Sequence, residues 1–175
     1  MKLQSMQDLF TYEVQDLYSA EQMIVDALPQ MIDAAVAPEL KRAFDEHLAQ
    51  TRQHVERLER IFASMDQSPE SRTCEGLEGI LDEGKSIIRA GSLVKSAVDD
   101  RVRDAALIGA AQRVEHYEIA AYGCLKTYAR WLGMDEAARL AEQTLDDENA
   151  ADQKLTTIAE GFINAQAAAA DRKAA

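Results

Sequence analysis

The chain has 175 residues, 47% of them hydrophobic and 29% charged, which is typical of one globular domain rather than a disordered chain. Its formal net charge of −12 argues against binding to nucleic acid or to an anionic membrane surface, because both depend on lysine and arginine side chains. No apolar run approaches the roughly 20 residues that cross a bilayer. No signal peptide is visible at the N-terminus, and Cys74 and Cys124 form no CxxC motif. We therefore expect a cytoplasmic protein with no nucleic-acid or membrane partner.

Apolar residues recur every three or four positions along the first third of the chain, which is the period of an amphipathic α-helix. A first long helix is predicted from about Leu3 to Ala35. Pro29 lies inside it and is expected to kink the helix or to end it early. After a turn at residues 36–38, a second long helix is predicted to run to about Met65.

The rest of the chain repeats this plan after a longer connection. The predicted elements are a polar loop at 66–74, a shorter helix at 75–90 that Gly91 and Ser92 end, a third long helix from between 94 and 101 to 132, and a fourth at 136–164. Residues 1–165 thus form one domain. The alanine-rich residues 166–175 are expected to fray as a C-terminal tail.

Two helical hairpins with tight turns, separated by about 30 residues, predict a particular connectivity. The predicted fold class is all-α: a ferritin-like four-helix bundle with one long crossover that contains a short additional helix.

Several ionisable side chains occupy positions that the helical pattern turns inward. They are Glu21 at the border of the first helix's apolar face, His47 and His54 on the second helix, Glu115 and Glu118 on the third, and Glu148 on the fourth. Buried carboxylates destabilise a fold unless they are paired, protonated or bound to metal. A hairpin turn centred near residue 36 places Glu21 opposite Thr51, and a turn near 134 places Glu118 opposite residue 150. The polar positions of both hairpins therefore lie near mid-height.

Carboxylates and imidazoles grouped in an apolar bundle are what a pair of iron or manganese ions requires. We therefore predict a metal centre of two iron or manganese ions per chain, with Glu21, His54, Glu115, Glu118 and Glu148 as ligands. The alternative is that each residue has an ordinary role. A single inward glutamate is commonly a side chain that reaches the rim of a bundle, and a lone helical histidine is commonly a packing residue.

The chain resembles the YciE/YciF-like family of bacterial ferritin-like stress proteins over nearly its whole length. The segments that carry the resemblance are Leu17-Tyr18-Ser19-Ala20-Glu21, His47-Leu48, Thr51, Val55-Glu56-Arg57-Leu58, Cys74, Arg103-Asp104-Ala105-Ala106-Leu107-Ile108, Val114-Glu115-His116-Tyr117-Glu118-Ile119-Ala120 and Glu142-Gln143-Thr144-Leu145-Asp146-Asp147-Glu148. The resemblance implies a cytoplasmic homodimer that is linked to stress responses and holds a two-metal-like centre.

The sequence departs from the pattern that the broader rubrerythrin and ferritin relatives show. Those relatives carry Glu-x-x-His on the second and fourth bundle helices. Here Thr51 replaces the first glutamate and Ala151 replaces the second histidine. His47, Gln50 and Asp152 are therefore further candidate ligands that could compensate. A site that holds one metal ion, binds weakly or is vestigial is the alternative.

Two functions of different classes remain open at this stage. The first is a metalloprotein that handles iron or peroxide, as a ferroxidase-like or peroxidase-like oxidoreductase whose redox partner the sequence does not name. The second is a metal-free stress or scaffold protein that acts through protein association. An iron-storage cage is disfavoured, since a shell of many subunits needs extensive exterior interfaces, and we expect a dimer instead.

Overall fold

The computed structural model describes residues 3–93 and 98–171, and these ranges are almost entirely helical. The helices are α1 (Met6–Ala34), α2 (Pro38–Ser64), α3 (Glu75–Leu93), α4 (Asp100–Trp131), α5 (Asp135–Ile158) and α6 (Asn164–Asp171), with a π-helical turn at Ala159–Ile163 between the last two. The predicted all-α fold is confirmed. None of the helices in the described ranges is both long and apolar enough to cross a membrane.

Four long helices form the bundle, and the crossover helix lies against one side of it. α1 packs against α2 and α4, and α5 packs against α4 and α2, which closes a ring of four. α3 packs on α4 and α1. The two hairpins, α1–α2 and α4–α5, are joined by the crossover that contains α3, which is the predicted ferritin-like connectivity.

The ends of several helices differ from the sequence-based predictions. α1 continues through Pro29 to Ala34, so the proline does not end it early. α3 runs past Gly91 to Leu93, because the packing of α3 on the bundle outweighs the weak helix propensity of glycine. Residues 94–97, where the start of the third long helix was predicted, lie outside the described residues. α4 begins at Asp100 and ends before Gly133, whose φ of 69° is the left-handed conformation that glycine favours.

The predicted C-terminal tail begins as helix. After the π-helical turn, α6 continues to Asp171 and packs against α4. The last four residues lie outside the described residues, so the fraying of the tail stays a prediction.

One buried carboxylate of α4 holds the turn between α1 and α2. Asp104 is only 3% exposed. Its two oxygens accept hydrogen bonds from the backbone amides of Val36 at 2.8 Å and Ala37 at 2.7 Å. The guanidinium of neighbouring Arg103 donates to the carbonyl of Ala34 at 2.9 Å. Backbone groups at the end of α1 and the start of α2 thus find hydrogen-bond partners on α4, which belongs to the other hairpin.

The crossover is attached to the bundle by a second polar contact. The thiol of Cys74, just before α3, lies 3.0 Å from the carboxylate of Asp16 and 3.0 Å from the hydroxyl of Tyr117. Tyr117 also donates to Asp16 at 2.8 Å. Gly76 lies against the ring of Tyr117, where an added Cβ would approach to 3.0 Å, so a larger residue there would press on the Tyr117 ring.

The apolar core has two parts, one toward each end of the bundle. One cluster includes Ile24, Leu28, Leu40 and Phe44. The other includes Phe10, Leu17, Leu58, Phe62 and Leu125. Along α1 and α2 the two clusters are separated by the turns of helix that carry Glu21, His47 and His54. The fold therefore holds a polar layer between two apolar ones.

Candidate metal centre

The polar layer is built from side chains of all four bundle helices. α1 contributes Glu21, α2 contributes His47 and His54, α4 contributes Glu115 and Glu118, and α5 contributes Glu148. Four of the six are fully buried, while His47 is 6% and Glu115 is 3% exposed. The spacing of seven residues between the histidines and three between the α4 glutamates keeps each pair on the inward face of its helix.

These residues form two groups with the dimensions of metal sites. His47, Glu115, Glu118 and Glu148 each offer one ligand atom within 4.8 Å of all the others. Glu21, His54 and Glu148 form a second such group by the same measure. Glu148 belongs to both groups, so its two oxygens are placed to connect them. Two neighbouring positions that share a carboxylate are the arrangement of a two-metal centre.

The polar atoms of this cluster are largely without hydrogen-bond partners. Both oxygens of Glu118 and Glu148, one oxygen each of Glu21 and Glu115, and both ring nitrogens of His47 and His54 are buried and unsatisfied. Buried polar groups are almost always hydrogen-bonded in native proteins. The donor set, carboxylate oxygens with imidazole nitrogens, fits iron or manganese, and these groups could therefore hold metal ions.

Without a cation the cluster is electrostatically unfavourable. Burial raises the pKa of Glu115 well above its ordinary value, and the nearby charge of Glu148 raises it further. The pKa of Glu118 is also raised, first by burial and then by the charges of Glu148, Glu21 and Glu115. Like charges in a low-dielectric interior cannot all stay ionised. In the metal-free protein these two carboxyls therefore tend to hold protons.

His54 carries the positive charge that balances part of this cluster. Burial alone would lower the pKa of its imidazole, but the carboxylates of Glu21, Asp147 and Glu148 outweigh burial and raise it to about 12. Its Nδ1 lies 2.8 Å from Glu148 and 3.5 Å from Glu21, and its Nε2 lies 3.4 Å from Asp147. These contacts are close but lack the alignment of hydrogen bonds. Burial acts to raise the pKa of Glu148, yet the contact with His54 keeps it below its ordinary value.

Tyr122 on α4 hydrogen-bonds to one of the candidate ligands. Its hydroxyl donates to Glu21 at 2.5 Å, and its side chain is almost fully buried. Burial and the charges of Glu21 and Glu118 raise the pKa of Tyr122 well above its ordinary value, so the hydroxyl keeps its proton. The bond holds Oε1 of Glu21, the oxygen that lies 3.5 Å from His54, while Oε2 is buried without a partner.

A hydrogen-bonded group on the α2–α5 side was missed by the sequence analysis. The guanidinium of Arg57 donates to Asp147 at 2.7 Å and to Thr144 at 3.1 Å. The contact with His54, together with Arg57, lowers the pKa of Asp147 to about 2 against the opposing effect of burial. The only signal was the spacing of Thr144 and Asp147, one turn apart beside the inward row of α5. Nothing in the sequence of α2 indicated that the side chain of Arg57 reaches this face of α5.

The three further candidate ligands, which were proposed because the Glu-x-x-His motifs are incomplete, occupy different positions in the structure. His47 joins the first group of ligand atoms, with its Nε2 3.5 Å from Glu115 and 3.8 Å from Glu148. Gln50 lines a surface opening next to that group. Asp152 accepts a hydrogen bond from Gln112 at 3.0 Å and lies 3.5 Å from His116. Within the described residues, Asp152 belongs to neither group.

Comparison with known proteins places this chain in a family. The sequence profile described as "Domain of unknown function (DUF892)" matches residues 5–168. Protein YciF of Escherichia coli strain K12 is 39% identical over 168 residues, which cover 95% of this chain and 98% of that protein.

Solved structures agree with this assignment. The crystal structure of the E. coli stress protein YciF is similar with a TM-score of 0.85 and 38% identity, over 93% of this chain and 99% of that one. YcfI from Rhodopseudomonas palustris is similar with a TM-score of 0.83 and 38% identity, over 89% of this chain and 96% of that one. A protein of Xanthomonas campestris at 22% identity shares the fold, with a TM-score of 0.73 over 98% of this chain and all of that one. The chain therefore belongs to the DUF892 family.

Proposed function

We propose that this protein is a stress-response metalloprotein whose helical bundle binds two iron or manganese ions per chain and handles iron or peroxide. The observation that carries the proposal is the set of buried, unsatisfied carboxylate and imidazole atoms, arranged as two groups that share Glu148. The link to stress rests on the likeness to the E. coli stress protein YciF.

In this proposal each side chain has a stated task. His47, Glu115 and Glu118 would hold one ion, Glu21 and His54 would hold the other, and Glu148 belongs to both groups of candidate ligands. His47 stands in for the histidine that the α5 motif lacks, since Ala151 occupies that position and His47 reaches the same group from α2. The hydroxyl of Tyr122 orients Glu21, as hydrogen bonds to ligands do in metal sites generally.

The protein's own contribution to reactivity is a largely buried set of ligand atoms. When bound, a pair of iron or manganese ions supplies electron exchange with peroxide or dioxygen. The apolar clusters on either side of the polar layer exclude water from the two ends of the bundle. His54 releases its proton when it becomes a ligand, because only neutral imidazole binds metal.

Elemental analysis tests the proposal directly. Protein purified without a histidine tag is treated with a chelator and then loaded anaerobically with ferrous iron or with Mn²⁺. We expect about two ions per chain, loss of binding in Glu148→Gln, and unchanged binding in Glu142→Gln, a half-exposed glutamate of the same helix. Peroxide consumption by the loaded protein would follow. The proposal is wrong if no ion is retained after loading with either metal.

A metal-free scaffold is the second candidate, and one observation favours it. The imidazolium of His54 already lies among three carboxylates, so a single proton on His54 supplies part of the positive charge that a metal ion would bring. In that case the polar layer only sets the register of the bundle, and the protein acts by association. Two of the motif positions that hold ligands in the broader relatives, Thr51 and Ala151, would then have been lost without consequence.

The assembly predicted from the sequence remains a proposal as well. We propose a homodimer that acts in the cytoplasm, with no nucleic-acid or membrane partner. Sedimentation equilibrium distinguishes the dimer from a monomer and from a many-subunit shell. A shell would count against the dimer and would favour iron storage.

A further inference from the structure

The polar layer reaches the surface through a small opening between α2, α4 and α5. The opening is narrow: a water-sized sphere has about 20 Å³ of room in it, which is enough for about one water molecule. His47 and Glu115 lie at its inner end, while Gln50, Ala151 and Lys154 line it further out. His47 and Glu115 are also the two members of the cluster that retain some exposure, whereas Glu118 and Glu148 are fully buried.

The small side chain at Ala151 leaves this space free. Ala151 lies three residues after Glu148, so both point toward the same side of α5. A methyl group at that position fills little of the gap between α5 and α2. The imidazole of His47, with both nitrogens buried and unsatisfied, lines the gap from the opposite helix. An unpartnered imidazole at the inner end of an opening is placed to bind an incoming cation.

Lys154, which lines the outer part of the opening, belongs to an exposed ion pair. Lys154 of α5 pairs with Glu46 of α2, and their side chains are 44% and 61% exposed. Ion pairs this exposed contribute about 0–1 kcal/mol. The pair therefore offsets the positive charge of Lys154 at the outer end of the opening without fixing that side chain across it.

The other approach to the cluster from the α2–α5 side is closed. There Asp147 lies between His54 and solvent, and the guanidinium of Arg57 is hydrogen-bonded to both Asp147 and Thr144. Arg57 is only 19% exposed. A cation approaching from that side would have to displace a fixed positive charge.

We propose that metal ions reach both positions of the centre through the opening at Ala151, first contacting His47 and Glu115 and then passing Glu148 to Glu21 and His54. The inference rests on the proposed metal-binding function, and it assigns to Ala151 the role of keeping the route open. The alanine at position 151 thus has two effects. It removes a ligand of the usual motif, and it leaves the path by which metal ions reach the remaining ligands.

The test measures uptake of Co²⁺ by the full-length, chelator-treated protein, using rapid mixing and the visible absorption of bound cobalt. Ala151→Leu should slow uptake about ten-fold, which corresponds to about 1.4 kcal/mol in the barrier, while the number of ions bound at equilibrium stays the same. Extraction of cobalt by a chelator should slow in parallel, because exit uses the same route. The matched control is Ala150→Leu, an adjacent exposed alanine, which should behave as the wild type.

A second variant keeps the test valid if leucine at position 151 disturbs the fold. Gln50→Phe narrows the same opening from α2 and should also slow uptake, and Gln53→Phe, exposed on the same helix, is its control. Wild-type uptake rates in both Ala151→Leu and Gln50→Phe, with binding intact, would overturn the route while leaving the metal centre in place. Failure of the wild type to bind cobalt, ferrous iron or Mn²⁺ would overturn the metal centre and the route together.

Discussion

Replacing Glu118 with glutamine should stabilise the metal-free protein and abolish its response to metal. Glu118 is fully buried, both of its oxygens lack partners, and burial with three neighbouring carboxylates raises its pKa well above 4.5. In the unfolded chain the same carboxyl ionises near 4.5. At pH 7 the folded chain must therefore take up a proton or hold a buried charge, and uptake of that proton costs about 3 kcal/mol at ~1.4 kcal/mol per pH unit.

The sign of the effect follows from the raised pKa. Below pH 4.5 the carboxyl is protonated in both states and its ionisation does not affect stability. As the pH rises from 4.5 toward 7, the unfolded state loses the proton first, so the wild type is progressively destabilised. Glutamine has no proton to lose. We expect metal-free Glu118→Gln to be about 1–3 kcal/mol more stable than the wild type at pH 7, since the amide still buries polar atoms, and no more stable near pH 4.

Urea unfolding of chelator-treated protein at pH 4 and pH 7 measures this difference, and Glu56→Gln, an exposed glutamate of α2, is the control. The metal-loaded proteins should show the opposite order. Saturation at 100 times the dissociation constant stabilises a binding-competent fold by about 2.7 kcal/mol, and the variant should lose that gain. If metal-free Glu118→Gln is less stable than the wild type at pH 7, the claim of an uncompensated buried carboxyl is refuted.

Three further predictions concern neighbouring features. Tyr122→Phe removes the 2.5 Å hydrogen bond to Glu21 and should weaken metal affinity roughly ten-fold in a cobalt titration; unchanged affinity would show that Glu21 is oriented by packing alone. Asp104→Ala leaves two backbone amides of the α1–α2 turn without acceptors and should lower the free energy of unfolding by about 2–4 kcal/mol in urea melts, whereas the exposed Asp100→Ala should have a small effect. Cys74 is buried and burial raises the pKa of its thiol, so a thiol reagent at pH 8 should label exposed Cys124 first; labelling of Cys74 at an equal rate in Cys124→Ser would contradict its position under the crossover.

The helices and the inward position of the ionisable residues could be predicted from the sequence. Both depend on the 3.6-residue period, which fixes the angle of each side chain about its own helix axis. Glu115 and Glu118 repeat in register with the apolar row of α4, and the five predicted ligands lie in the polar layer together with His47. Two tight hairpins and one long connection were enough to predict the bundle.

Helix ends were less predictable, because they depend on what the end contacts. α3 passes through Gly91 and α1 passes through Pro29, since packing along the rest of each helix outweighs one unfavourable residue. The cap of the α1–α2 turn is a side chain 67 residues away in sequence from the amide it binds. No local pattern contains that partner.

The sequence by itself determined which residues face inward, the charge of the interior, and the family to which the fold belongs. Only the tertiary structure decided that His47 joins the ligand group while Asp152 turns to Gln112, that Arg57 spans to Asp147, and that Ala151 leaves an opening above His47. The reason is geometric: periodicity gives the rotation of a residue about one helix, whereas a site depends on how far each helix is shifted and turned relative to its neighbours. Those displacements are set by the packing of the whole core.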